Sequence, residues 1–288
     1  MKKFQTLLFL LFFVFSAFKS DKPAYFLFNK EGKTIKYEKL LKTVQGADIV
    51  LFGELHDNPI AHWLQLELTK DLYQLKNEDL VLGAEMFESD NQIILDEYLD
   101  SLISQSSFEK EARLWPNYKT DYKPLIEFAK ENKINFIATN IPRRYASMVN
   151  SKGFEGLEEL PEEAKQFIMP LPVNYDSTLN CYKSMLSMEG MGNHVNENFP
   201  KAQAVKDATM AHFILENWSD GKLFLHYHGA YHSDNFESIY WHLKQQKPNL
   251  KIVTITTVSQ EDISDLKEEN SGKADFTICV DEDMTKTR

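Results

Sequence analysis

Only two cysteines, Cys181 and Cys279, occur in the 288 residues. Two thiols set up no disulfide framework, and no CxxC or zinc-ribbon spacing exists, so a disulfide-stapled fold and a zinc ribbon are both excluded. Whether the two pair in an oxidising compartment or stay free is left open by sequence. Positive charge is also scarce. Lysine and arginine number 32 against 43 acids, a formal net charge of -11, and the basic residues are scattered. Such a surface repels phosphate backbones, which excludes nucleic acid as a partner. No P-loop, GxSxG, HExxH or GxGxxG occurs, nor any internal repeat or low-complexity linker. At 43% hydrophobic and 26% charged the chain is of ordinary globular composition, long enough for one large domain or a domain with an insert.

The one long apolar run is N-terminal. "MKKFQTLLFLLFFVFSAFKS" (1–20) starts with Lys2 and Lys3 and is apolar from about Leu7 to Phe18. That is short of the roughly 20 residues that a bilayer core requires. A charged start, a short apolar stretch and small residues after it read as a signal peptide. The expectation is an exported protein of the periplasm or cell envelope, with its domain over 21–288. The segment holds no cysteine, so lipid attachment there is not expected.

From Ala47 onward, strand-like runs alternate with helical patterns. "ADIVLFGE" (47–54) precedes a helix for which Asn58 suits the N-cap and Pro59 the first position. Ile60, Trp63, Leu64, Leu68, Leu72 and Leu75 share one face of it. "DLVLGAEMF" (79–87) is a second strand, and Ser89 is placed as the cap of the helix carrying Ile93, Ile94, Tyr98 and Leu102. A helix over Tyr122–Asn132 leads to "INFIATN" (134–140); "KLFLHYH" (222–228) and "KIVTITTV" (251–258) flank a helix near Phe236–Gln246. "ADFTICV" (274–280) is read as a short strand closing one edge. The alternation predicts an α/β fold, a mainly parallel sheet with helices on both faces. A smaller helical insert is expected at about 145–220, with Met169, Met185, Met188 and Met191 in its middle.

In such sheets ligands bind beyond the carboxyl ends of the strands, and here each end is polar. The first closes on Gly53, Glu54 and His56, the second on Glu85, the third on Thr139, Asn140 and Arg143. The fourth runs "HYHGAYHSDN", with His226, His228 and His232. Period-two alternation puts Glu54 and His56 on one side, and likewise His226 and His228. With Glu85 facing them, acids and imidazoles converge in one crevice, the general shape of a metal or acid/base site. His62, His212 and His242 lie on helical patterns and are read as structural or exposed. Tyr175, Tyr182, His194 and Phe199 lie in or beside the methionine-rich insert, where a flat apolar ligand would find a lining.

"GELHDN" (53–58), "GAEMFESDNQ" (83–92), "ATNIPRRY" (138–145), "QAVKDATMAHFI" (203–214) and "GAYH" (229–232) together resemble the ChaN-like haem-binding uptake proteins of the Tiki/TraB superfamily. Two Gly-x-x-His motifs shared by that superfamily correspond to Gly53–His56 and Gly229–His232. The resemblance implies an exported haem-binding protein of iron acquisition, a homodimer enclosing paired haems, and other envelope uptake proteins as partners. It implies a tyrosine on the haem iron, with Tyr175, Tyr182 and Tyr231 as candidates by location, and His194 and His228 among the binding residues. The Tiki branch implies the alternative, a metal-dependent hydrolase. There Glu54, His56, Glu85 and His232 are the divalent-metal ligands or acid/base groups, while Asn140 and Arg143 orient the substrate. The extra histidines of "HYHG" depart from the family pattern and strengthen the expectation of a metal.

Overall fold

The fold was taken from a computed structural model that describes residues 22–187 and 196–287. The expected export segment, Met188, Met191 and His194 lie outside the described residues. In chain order the strands are β1 (Tyr25–Asn29), β2 (Thr34–Ile35), β3 (Ile49–Glu54), β4 (Leu80–Glu88), β5 (Phe136–Asn140), β6 (Leu223–Gly229), β7 (Ile252–Gln260) and β8 (Phe276–Asp281). The helices are α1 (Tyr37–Val44), α2 (Pro59–Lys76), α3 (Gln92–Leu99), α4 (Gln105–Glu111), α5 (Lys123–Asn132), α6 (Arg143–Lys152), three short turns α7 (Glu155–Glu158), α8 (Glu162–Lys165) and α9 (Asn180–Lys183), then α10 (Phe199–Asn217) and α11 (Ile239–Gln246).

One eight-stranded sheet runs β2-β1-β8-β7-β3-β6-β4-β5. The strands from β8 to β5 are mutually parallel, while β1 is antiparallel to β8 and β2 to β1. The α/β architecture read from the alternation is therefore present. β3 is buried at every position, as expected for a central parallel strand covered on both faces. β8 does not close an edge. It sits between β7 and β1, because the β1–β2 hairpin, too short to stand out in sequence, pairs on its outer side.

Helices cover both faces. Phe52, Leu82, Leu225 and Tyr227 pack with Leu64, Leu68 and Leu72 of α2 and with Leu125 and Ile126 of α5. On the opposite face Leu51, Val81 and Phe224 pack with Met210, Ala211 and Ile214 of α10 and with Ile239 and Leu243 of α11. A separate cluster joins α6, α7 and α10 through Tyr145, Val149, Leu157 and Val205. Cys181 and Cys279 are both free and buried, in different apolar clusters.

Local signals were uneven guides. Asn58 caps α2, its Oδ1 accepting from Ile60 N and Ala61 N at 3.0 Å each. The buried face of α2 keeps Leu64, Leu68 and Leu72 of the expected set but is rotated from it, since Trp63 and Leu75 are about half exposed and His62, Gln65 and Thr69 are buried instead. The rotation has a physical cause: Gln65 and Thr69 serve polar partners under the sheet, Glu54 and the Tyr227 hydroxyl. Ser89 does not cap a helix; its hydroxyl donates to Phe167 O at 2.7 Å, and α3 begins at Gln92.

Candidate functional site

The polar strand tips meet at a cleft of about 1000 Å³ beyond the carboxyl ends of β3, β4 and β5. His56, Glu85, Asn140 and Arg143 all line it, as does Phe199, so four of the strand-end residues singled out in the sequence are brought together with one aromatic residue from the insert. Leu114, Trp115 and Pro116 form one wall, and α6 with the start of α10 forms the other.

At the tip of β3, Glu54 is 1% exposed and its carboxylate is fully engaged. Oε1 accepts from Tyr122 Oη at 2.7 Å and lies 2.9 Å from His56 Nδ1; Oε2 accepts from Gln65 Nε2 at 2.6 Å. His62 Nδ1 is 3.5 Å from Oε2. Burial would raise this carboxyl, but the His56 hydrogen bond, His62 and Tyr122 outweigh it and hold the group below its ordinary range. His56 is raised in turn: burial opposes its charge, while Glu54 and Glu85 favour it. The imidazole packs edge-on against Trp115 and keeps 31% of its side chain exposed. Its loop is tied down by Asn117 Nδ2, which donates to His56 O at 2.8 Å, and by Lys286, 3.2 Å from Asp57.

A second charged group sits at the tip of β4. Glu85 Oε2 accepts from Gly229 N at 2.8 Å, and Oε1 lies 3.2 Å from His232 Nε2. His232 Nδ1 in turn is 2.5 Å from Asp207 Oδ1 on α10. Burial would keep His232 neutral, but Glu85 and Asp207 on either side push it up to about 10, an imidazolium clamped between two carboxylates. Burial works against Glu85 as well, yet His232 and His56 hold it well below the carboxylate range. Asp207 Oδ2 also accepts from Tyr182 Oη at 2.9 Å.

The two Gly-x-x-His motifs interlock, which explains their glycines. A Cβ on Gly53 would fall 2.8 Å from Ala230 Cα, and one on Gly229 would fall 2.6 Å from His56 Nε2. Each glycine therefore admits the other motif. Gly229→Ala is expected to push the His56 ring off Glu54 and to lower stability by about 1–3 kcal/mol. NMR titration should then place the His56 pKa back near the ordinary histidine value; an unshifted titration would contradict the packing.

His226 and His228 do not reach the cleft. Register pairs Leu51 with His226 and Gly53 with His228, but Glu54 with Gly229, so the histidines lie on the face opposite Glu54. Both are fully buried in a closed chain: Thr139 Oγ1 to His226 Nε2 (2.7 Å), His226 Nδ1 to His228 Nδ1 (3.1 Å), His228 Nε2 to Ser233 Oγ (2.8 Å). Burial pushes His226 well below its usual value and His228 down to about 3. The tyrosine candidates also lie off the cleft. Tyr182 is fully buried on Asp207, Tyr231 donates to Cys181 O, and Tyr175 packs on Phe154 and Tyr182.

The arrangement of the donors lends no support to a divalent metal. Glu54, Glu85 and His232 spend their lone pairs and N–H groups on one another, on Asp207 or on neighbouring side chains. Among the described residues no group of three histidine, cysteine or acidic side chains is arranged to hold a metal ion. Sequence reasoning passed over Asp207, Gln65, Tyr122 and Asn117. Asp207 did leave a signal, an acid on the Ala204, Val205, Ala208 and Ala211 face of α10 where only apolar residues belong.

The sequence model of the family described as "Haem-binding uptake, Tiki superfamily, ChaN" matches residues 40–243. The solved structure "Cofacial heme binding to ChaN of Campylobacter jejuni" superposes with a TM-score of 0.64 at 19% identity, over 88% of this chain and 96% of that chain. "Protein RETICULATA-RELATED 5, chloroplastic" of Arabidopsis thaliana is 28% identical over 205 residues; the match takes in 67% of this chain but only 27% of that protein's length.

Proposed function

Since the chain belongs to the haem-binding uptake family of ChaN in the Tiki superfamily, we propose that it binds haem in the strand-tip cleft and serves haem uptake outside the cytoplasm. The observation that carries the reading is the cleft itself. At about 1000 Å³ it is the size of a cofactor site, and Leu114, Trp115, Ile141 and Phe199 offer it apolar walls. None of the three tyrosine candidates lines the cleft; of the histidines singled out in the sequence, His56 is the one among the described residues that does. Its Nδ1 is held by Glu54, an orientation that leaves Nε2 as the donor and strengthens it. Bound haem would supply the iron chemistry; the protein's part is to orient the ring, exclude water and hold His56 in place. Export rests on Lys2, Lys3 and the apolar run from Leu7 to Phe18.

Hemin titrated into the purified protein should give a saturable Soret band with a shifted maximum, and His56→Ala should move that maximum. A spectrum identical to free hemin at micromolar concentrations would refute the reading.

One observation favours a second reading, hydrolysis by acid/base catalysis without a metal. Glu54–His56 and Glu85–His232–Asp207 meet across Gly229, an imidazole oriented by one carboxylate beside an imidazolium held between two others. This reading predicts hydrolysis of peptide or ester substrates that survives chelation and is lost in Glu85→Gln. Activity that returns only with added metal would contradict it.

A further inference from the structure

We propose that Arg143 and Lys206 form a carboxylate-binding subsite at the sheet end of the cleft, an inference that rests on the cleft being the ligand site. In a chain of net charge -11, these two cations face one cavity without an acidic partner among the described residues. Their basic neighbours differ. Arg113 is held by Glu88 at 2.9 Å and by Asp90, and Arg144 by Asp90 at 2.6 Å. The acids of the cleft are likewise offset, Glu88 by Arg113 and Glu85 by His232 at 3.2 Å. The uncompensated charge on its walls is therefore positive and lies at Arg143 and Lys206.

The helices place the pair at one level. Asn196 Nδ2 donates to Asn150 O, joining the approach to α10 with the end of α6. Farther along, Tyr145, Ala146 and Val149 pack against Ala202, Val205 and Ala208. α6 and α10 thus run antiparallel, with Arg143 and Lys206 both toward the strand tips. Between them Ala146, Ser147 and Ala202 present small side chains to the cleft, leaving room for a ligand. A guanidinium that grips two oxygens beside an ammonium on a flexible stem suits a carboxylate. Two sources present that chemistry here, the carboxylate edge of a porphyrin and the free carboxyl end of a peptide.

Affinities for hemin and for hemin dimethyl ester, read from the Soret band, test the subsite in wild type and in Arg143→Gln/Lys206→Gln. Both positions lie at the surface or part-buried, and an unchanged Tm confirms that the double variant is folded. The expected result is at least a tenfold loss of hemin affinity in the double variant, with the ester bound equally weakly by both proteins. Wild-type affinity for hemin in the double variant, or equal affinity of wild type for hemin and ester, overturns the subsite while leaving the haem reading intact. If wild type leaves the hemin spectrum unchanged, the haem reading fails, and a hexapeptide with a free or an amidated carboxyl end decides the subsite. Preference of wild type for the free acid, absent in the double variant, assigns it to peptide carboxyls; no such preference overturns it.

Discussion

Replacing Asp207 by alanine is expected to cost about 3–5 kcal/mol of stability, the range for removing one partner of a buried charged pair. The residue is fully buried and holds two groups at once, His232 at 2.5 Å and the Tyr182 hydroxyl at 2.9 Å. Without it the charge on His232 is shared with Glu85 alone. Tyr182 is left with His242 Nε2 at 3.3 Å, in a pocket where burial has already lowered His242 to about 4. Asp207→Asn keeps the shape and one hydrogen bond, so its cost should be smaller, about 1–3 kcal/mol. Urea denaturation of the two variants measures both. An alanine variant within 0.5 kcal/mol of wild type, itself a surface-like effect, would show that the clamp on His232 is not structural.

Stability should also peak near neutral pH and fall on both sides, for different residues. His226 and His228 stay neutral in the folded protein, with His228 pushed down to about 3, whereas unfolded histidines take up a proton near pH 6.5. Below that pH the unfolded chain binds more protons, so stability falls as pH drops. At pH 5 each histidine should cost about 2 kcal/mol relative to neutral pH. The groups facing them, Glu85, Glu54 and His232, do not cancel this: the carboxyls titrate below their ordinary range in the folded state, so their contribution is lost only at still lower pH. His232 has the opposite sign. Its folded value of about 10 gives stability that is complete below pH 6.5 and is lost as pH rises toward 10, at about 1.4 kcal/mol per pH unit. Urea midpoints at pH 5, 7 and 9 test the shape. A flat response between pH 5 and 7 would contradict the buried histidines. His226→Gln/His228→Gln should shrink the loss on that limb, leaving the share of His242, whose value is also lowered, and should not change the alkaline limb.

The fold was legible where burial is two-sided and caps are local. The unbroken apolar run of β3 and the Asn58–Pro59 start of α2 follow from neighbouring residues, and both are found where the sequence puts them. The β1–β2 hairpin was not legible, because a five-residue and a two-residue strand carry little pattern, and missing it misplaced β8 at the edge. Among the site residues, His56, Glu85, Asn140 and Arg143 were readable from their positions at strand ends. Strand parity went only half way. It paired His226 with His228 correctly but could not say that their face is opposite to Glu54, since that depends on the β3–β6 register. Asp207 and Gln65 escaped because their partners are 25 and 11 residues away. A polar residue on an inward helix face is a clue only once the sheet beneath it is known.

The claim that haem binds in the strand-tip cleft is tested most directly by filling the cleft. Ser147 lines it and is exposed on α6, whereas Ser151, one turn on, is exposed but does not line it. Hemin affinity should fall at least tenfold in Ser147→Trp and stay at the wild-type value in Ser151→Trp. Wild-type affinity in both variants would place the haem elsewhere on the protein and contradict the account.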